Sequence, residues 1–209
     1  VKACFSDQSF LPPDRQLVAV NSINWARIVA QIVYYFWAAL RLESGTKQVS
    51  FSVPTGNFGD IYAGYIAHKM GLPINQLIIA TNANDILHRC VSANDHSLKP
   101  LKRTLAPSMD IMISSNFERL LFDLYDRDGA AIERLIADAK SGNMYLDDAA
   151  IIELRKLFFS YKCDDQHLLS VISSVYRDSG YLIDPHTAIG LEAARKCRIS
   201  DEFPMVALA

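Results

Sequence analysis

The chain has 209 residues, half of them hydrophobic and 21% charged, which is enough to bury a globular core and too well mixed for a disordered or fibrous chain. Its net charge of −2 gives no electrostatic basis for binding nucleic acid or an anionic membrane surface. Cys4, Cys90, Cys163 and Cys197 are scattered, with no Cys-x-x-Cys and no His at ligand spacing, which predicts free thiols in a reducing cytoplasm rather than disulfides or a metal site.

Residues 1–16 carry the turn signal Pro12-Pro13-Asp14. Residues 17–20 are a short strand candidate, and Asn21 and Ser22 have side chains suited to opening a helix. From residue 23, Ile23, Ala26, Ala30, Val33, Trp37 and Leu40 recur at three- and four-residue steps, which predicts an amphipathic helix with that stripe as its apolar side. The aromatic run Tyr34-Tyr35-Phe36-Trp37 is read as core packing. Residues 28–40 are the longest apolar stretch, interrupted by Gln31 and too short to span a bilayer. No signal-peptide pattern opens the chain. It starts at Val1 rather than Met and ends in an apolar run over residues 205–209, so a fragment cut in mid-fold is expected.

Residues 49–82 read as strand, turn, helix and strand. Val49, Phe51 and Val53 alternate with serines in the period of a strand, and Pro54, which cannot donate to a ladder, ends it. The turn Thr55-Gly56-Asn57-Phe58-Gly59-Asp60 leads into a helix over residues 61–69, stopped by Gly71-Leu72-Pro73. Residues 77–80 are wholly apolar, as in a parallel strand buried on both faces. A strand-to-helix turn aims free N–H groups and the positive helix end at one point, which suits a phosphate. The turn is neither a Walker motif nor Gly-x-Gly-x-x-Gly, and its spacing alone fits an ordinary tight turn equally well.

Beyond residue 82 the chain is expected to be irregular, with turns at 84–85 and 94–97, a basic loop at 99–103 and a strand at 109–113. Ser114-Ser115-Asn116 is placed to cap a helix over 117–126, and further helices are predicted at 129–140, 149–161, 165–177 and 188–198. Strand, helix, strand in alternation predicts an α/β fold with a parallel sheet and a mainly helical second half. Three stretches follow: an α/β part over 1–98, a helical region over 99–183, and a return to the α/β part over 184–209.

A second polar group, Asn21, Ser22, Asn24 and Arg27, opens the first helix. The two leading residues serve equally well as caps, while Arg27 offers a planar fork for a phosphate or carboxylate. If this helix start and the Gly56 turn share the crevice at the carboxyl ends of parallel strands, two anionic groups meet there. Thr81, Asn82, Asn84 and Asp85 are further candidates for that crevice and equally good turn formers. His186, after Asp184-Pro185, is a candidate acid–base group, although a lone loop histidine is more often structural.

In order, Asn21-Ser22-Ile23-Asn24-Trp25-Ala26-Arg27, the run from Val53-Pro54-Thr55-Gly56 through Asp60, Ala80-Thr81-Asn82-Ala83-Asn84-Asp85, Ser115-Asn116-Phe117-Glu118-Arg119 and Asp184-Pro185-His186-Thr187-Ala188 resemble the long-form threonine synthase family. The resemblance covers essentially the whole chain. It implies the three-layer core of a fold-type II pyridoxal phosphate (PLP) enzyme, which converts O-phosphohomoserine and water to threonine and phosphate with the cofactor as electron sink. It also implies that Gly56, Asn57, Phe58, Gly59 and Asp60 hold the cofactor phosphate. Asn21, Ser22 and Arg27 would then recognise the substrate phosphate, with Asn57 nearby.

One departure bears on mechanism. The family's Schiff-base lysine lies upstream of the Asn-Ser-x-Asn segment in a Phe-Lys-Asp context, and Lys2, the one lysine before Asn21, does not match it. No catalytic residue is therefore expected within these residues, and the piece alone is expected to be inactive. The alternatives are another PLP-dependent replacement enzyme, such as a tryptophan synthase β-like protein, and a non-catalytic homologue that binds a phosphorylated ligand.

Overall fold

A computed structural model of the chain describes residues 7–17, 23–42, 47–142 and 144–208. Most of the strand expected at 17–20, the Asn21-Ser22 pair and Lys2 lie outside the described residues. The first described helix, α1 (Trp25–Arg41), is opened by Asn24, whose side chain accepts from the Ala26 N–H at 2.9 Å. The alternating run becomes β1 (Val49–Pro54), followed by α2 (Gly59–Lys69) and β2 (Ile74–Thr81). β1 and β2 pair in parallel, with Phe51 opposite Leu77 and Pro54 opposite Ala80. Gly71, at φ +101°, turns the chain out of α2 in the left-handed region that glycine tolerates best.

Next come α3 (Ile86–Ala93), a 3₁₀ turn at Pro107–Met109, α4 (Phe117–Leu124), α5 (Gly129–Lys140) and α6 (Asp148–Leu157). They are followed by β3 (Phe158–Lys162), α7 (Asp165–Ser179), α8 (Pro185–Cys197) and β4 (Met205–Ala207). Among the described residues the sheet is parallel throughout, in the order β3-β2-β1-β4.

The period of two in the central strands separates two cores. Phe51, Val53, Leu77 and Ile79 face the larger one, shared with α1 to α6. Ile78 and Ala80 face the other side, where Leu168 and Val171 of α7 and Ala188, Ile189 and Ala193 of α8 cover the sheet. Helices on both faces of a parallel sheet give the three expected layers. None of the described helices is long and apolar enough to cross a membrane.

Four expectations are corrected. α1 does not bury the stripe Ile23, Val33, Trp37 and Leu40, which is more than half exposed; it buries Ile28, Ile32, Tyr35 and Ala39. α1 is apolar on both sides, and its partners decide between them: the Tyr35 ring meets Phe51 at 4.7 Å and lies over Gly64, where an added Cβ would stand 2.5 Å from it. Residues 109–113 form no strand, because Asp110 gathers the loop side chains instead, accepting from Asn82 and Asn84 Nδ2 at 2.8 and 2.9 Å and from Thr104 Oγ1 at 2.7 Å. The helix expected over 149–161 stops at Leu157, and Phe158 to Lys162 pair with Leu77 to Thr81 as β3, inside the stretch read as mainly helical. α3 was not legible, since its central Arg89 is buried; it is held by Asp85 at 2.9 Å and Asp95 at 2.6 Å.

Candidate active site

A cavity of about 250 Å³ opens beyond the carboxyl end of β1. It is lined by residues 54–61, by Arg27 and Gln31 of α1, by Ser108 and Met109, and by His186. This is the crevice position in which open parallel sheets bind ligands.

The floor is the Gly56 turn. Thr55 N–H donates to the Ala80 carbonyl at 2.8 Å and its hydroxyl to the Val53 carbonyl at 2.6 Å, which ties the turn to both central strands. At Gly56 the 3₁₀ turn comes so close that a Cβ would lie 2.8 Å from the Ser108 carbonyl oxygen. Phe58 adopts the left-handed conformation, φ 64° and ψ 0°, which is uncommon for a residue with a Cβ. Its buried ring sits 5.2 Å from Phe117 and 5.9 Å from Phe158, and this packing holds the strained backbone in place. α2 therefore starts abruptly at Gly59, and its N-cap residue, Phe58, makes no side-chain capping bond. The first N–H groups of a helix have no intrahelical acceptor, so this end offers donors and a positive dipole to an anion in the cavity.

The segment after the Asp110 loop braces the site from behind. Ser114 Oγ donates to the Gly56 carbonyl at 2.9 Å, and Asn116 Nδ2 to the Asn57 carbonyl at 2.9 Å. Arg119 donates to Asn116 Oδ1 at 3.0 Å and to the Ile23 carbonyl at 2.9 Å, with its guanidinium 5.7 Å from the Trp25 ring. One short segment thus binds the Gly56 turn to the start of α1. Asn116 was expected to cap α4, and its side chain makes no such bond. Bonds across 58, 59 and 96 positions leave no trace in local periodicity, so these braces were not readable.

Two charged groups define the electrostatics. Burial pushes the Asp60 carboxyl up to about 6, opposed by the hydrogen bond from Tyr35. Arg27 stands in the first turn of α1, where a cation opposes the helix dipole, so helix stability does not account for it. At the far side, Asp184 caps α8 by accepting from the His186 and Thr187 N–H groups at 2.8 and 3.3 Å.

Of the predicted site residues, Gly56, Asn57, Phe58, Gly59, Asp60 and Arg27 meet at one cavity, and His186 joins them. Asn21 and Ser22 lie outside the described residues. Thr81, Asn82, Asn84 and Asp85 do not line the cavity; Asn82 and Asn84 serve the Asp110 network, and Asp85 pairs with Arg89 and Lys162. Among the described residues no cluster could hold a metal ion, and Cys90, Cys163 and Cys197 are free thiols.

Over all 209 residues the chain is 59% identical to threonine synthase of Pseudomonas aeruginosa, of which it spans 44%. Threonine synthase of Saccharomyces cerevisiae is 41% identical over 96% of this chain and 42% of the relative. The solved structure of PLP-bound threonine synthase from Brucella melitensis covers the whole chain with a TM-score of 0.94 at 49% identity, over 45% of that structure. Maize serine racemase, at 16% identity and a TM-score of 0.52, shares the fold alone. No family profile matches the chain. The chain spans less than half the length of the curated relatives it matches.

Proposed function

We propose that these 209 residues, homologous along their whole length to a segment of threonine synthases, supply the phosphate-binding side of a threonine synthase site. They would serve the conversion of O-phosphohomoserine and water to threonine and inorganic phosphate, with PLP as cofactor, in the reducing cytoplasm that free thiols suit. The observation that carries the proposal is the uncapped start of α2 at the cavity floor, joined to a glycine at which no Cβ fits.

That floor fits the phosphate end of PLP. Gly56 lets the backbone approach, and the N–H groups at Phe58, Gly59 and Asp60 would hold the phosphate oxygens. No lysine lines the cavity among the described residues, so the fit is to the phosphate end and not to the amine-bearing attachment point. When bound, the cofactor supplies an electron sink for carbanion chemistry along the substrate. The chain's own contribution is to bind and orient. Arg27, with Asn21 and Ser22, would clamp the phosphate ester of the substrate, with Asn57 beside it. Below about pH 6 a protonated Asp60 would place less negative charge beside a bound phosphate.

Arg27 favours a phosphorylated substrate over that of a tryptophan synthase β-like enzyme, and neither that alternative nor a non-catalytic homologue is favoured by the relatives. The test is a chimera. These 209 residues replace the matching 44% of the Pseudomonas aeruginosa enzyme, and phosphate and threonine release from O-phosphohomoserine are assayed. Conversion is expected to survive. A chimera that folds and holds PLP but releases neither product would overturn the proposal.

A further inference from the structure

His186 is the one residue of the cavity lining contributed by α8, and its surroundings are built rather than incidental. α8 is pressed onto the sheet one turn further on: a Cβ at Gly190 would meet Pro54 Cγ at 3.0 Å, and the Ser52 hydroxyl donates to the Gly190 carbonyl at 2.6 Å. That contact carries the helix start to the carboxyl end of β1. The ring is then fixed by Asp184, whose Oδ1 lies 3.1 Å from His186 Nδ1. Asp184 is itself held, accepting from the backbone N–H groups of His186 and Thr187 and from the Thr187 hydroxyl. A carboxylate on Nδ1 makes that nitrogen the donor and turns Nε2 toward its own partner. Nε2 is buried and, among the described residues, has no hydrogen-bond partner. An orphaned buried ring nitrogen is unfavourable, and it stands out on a residue whose other nitrogen is oriented so fully.

We propose that His186 is a ligand-contacting residue of this cavity, its Nε2 hydrogen-bonding a phosphoryl oxygen, with Asp184 as the residue that positions the ring. The proposal rests on the phosphate-binding assignment above and adds a donor on the opposite wall, from α8. The contact is a hydrogen bond that shares one proton between Nε2 and the phosphate, and no covalent bond changes. The other charged groups facing the cavity are Asp60 on α2 and Arg27 on α1.

Inorganic phosphate is the probe, titrated into the whole chain and followed by nuclear magnetic resonance of the backbone amides and the histidine rings. The expected result is movement of the Phe58, Gly59 and Asp60 amides together with the His186 ring signals. His186→Phe should weaken phosphate binding about tenfold while the amides still move. His186→Gln, which keeps a donor, should recover part of it, and His68→Gln, remote on α2, should change nothing. Asp184→Asn should alter the ring's tautomer signals without phosphate present, which a merely structural cap would not. Amide shifts with an unmoved His186 ring and unchanged affinity in His186→Phe would overturn the inference and leave the phosphate turn standing. No shift at either place would overturn both.

Discussion

The Tyr35 hydroxyl donates to the backbone carbonyl of Asp60 at 2.9 Å, joining α1 to the first turn of α2 across 25 positions of the chain. The ring beneath that hydroxyl is fully buried against Phe51 and over Gly64. Tyr35 lies on the same helix as Arg27, so this bond is one of the contacts that hold that helix beside the Gly56 turn. Removing the hydroxyl in Tyr35→Phe leaves the packing and deletes the bond. The expected loss is about 1–2 kcal/mol, read as a lower urea midpoint at unchanged slope. An unchanged midpoint would show that the bond contributes nothing.

Gly56→Ala tests the close approach at the cavity floor. The new Cβ would press on backbone, the Ser108 carbonyl at 2.8 Å and Met109 Cα at 3.4 Å, and neither can swing aside as a side chain can. A cost of about 1–3 kcal/mol is expected, with weaker binding of phosphate because the turn must open. Gly129→Ala is the matched control, since nothing lies within 4 Å of its Cβ, and it should be neutral or slightly stabilising.

The raised Asp60 carboxyl predicts a pH dependence with a definite sign. Between its ordinary value of 3.8 and about 6, the folded chain keeps a proton that the unfolded chain has released. Stability from this group is therefore present at low pH, falls as pH rises through that window, and is flat above it, a change of up to about 3 kcal/mol. Asp60→Asn should gain stability over the parent progressively from pH 4 to pH 6. A constant difference across that range, in paired urea titrations, would refute the shift.

His96 runs the other way. Its ring is buried against Phe117, both nitrogens lack a partner among the described residues, and burial lowers its pKa to about 4. The neutral ring's contribution is whole above pH 6.5 and is lost as pH falls toward 4, because the unfolded chain protonates first. Opposite slopes from Asp60 and His96 partly cancel in the parent, so each is measured as a difference from it. His96→Phe, beside an apolar cavity bounded by Leu98, Ile113 and Phe117, should stabilise by about 1 kcal/mol at neutral pH. The gain should grow at pH 4.5; a smaller gain there would contradict the assignment.

Arg27→Ala separates substrate phosphate from cofactor phosphate. In the chimeric enzyme it should raise KM for O-phosphohomoserine by about tenfold or more, with the Kd for PLP changed by less than about twofold. Equal losses in both would move Arg27 to the cofactor.

Residues 49–82 carried their own structure: alternation for β1, a proline to end it, two glycines at the turn, an apolar run for β2. These signals live within a few neighbouring residues, so the strand-turn-helix and the resemblance of the motifs were legible in the sequence alone. Which side of α1 is buried was not, because large apolar residues stand on both faces and the choice belongs to Tyr35, Phe51 and Gly64, brought together only by folding. The same holds for the braces from Ser114, Asn116 and Arg119 to the start of α1 and the Gly56 turn, and for His186 entering the cavity from α8. Short-range chemistry determined that a strand-turn-helix with a free helix start exists; contacts between residues far apart in the chain, invisible to any local period, decided what surrounds it.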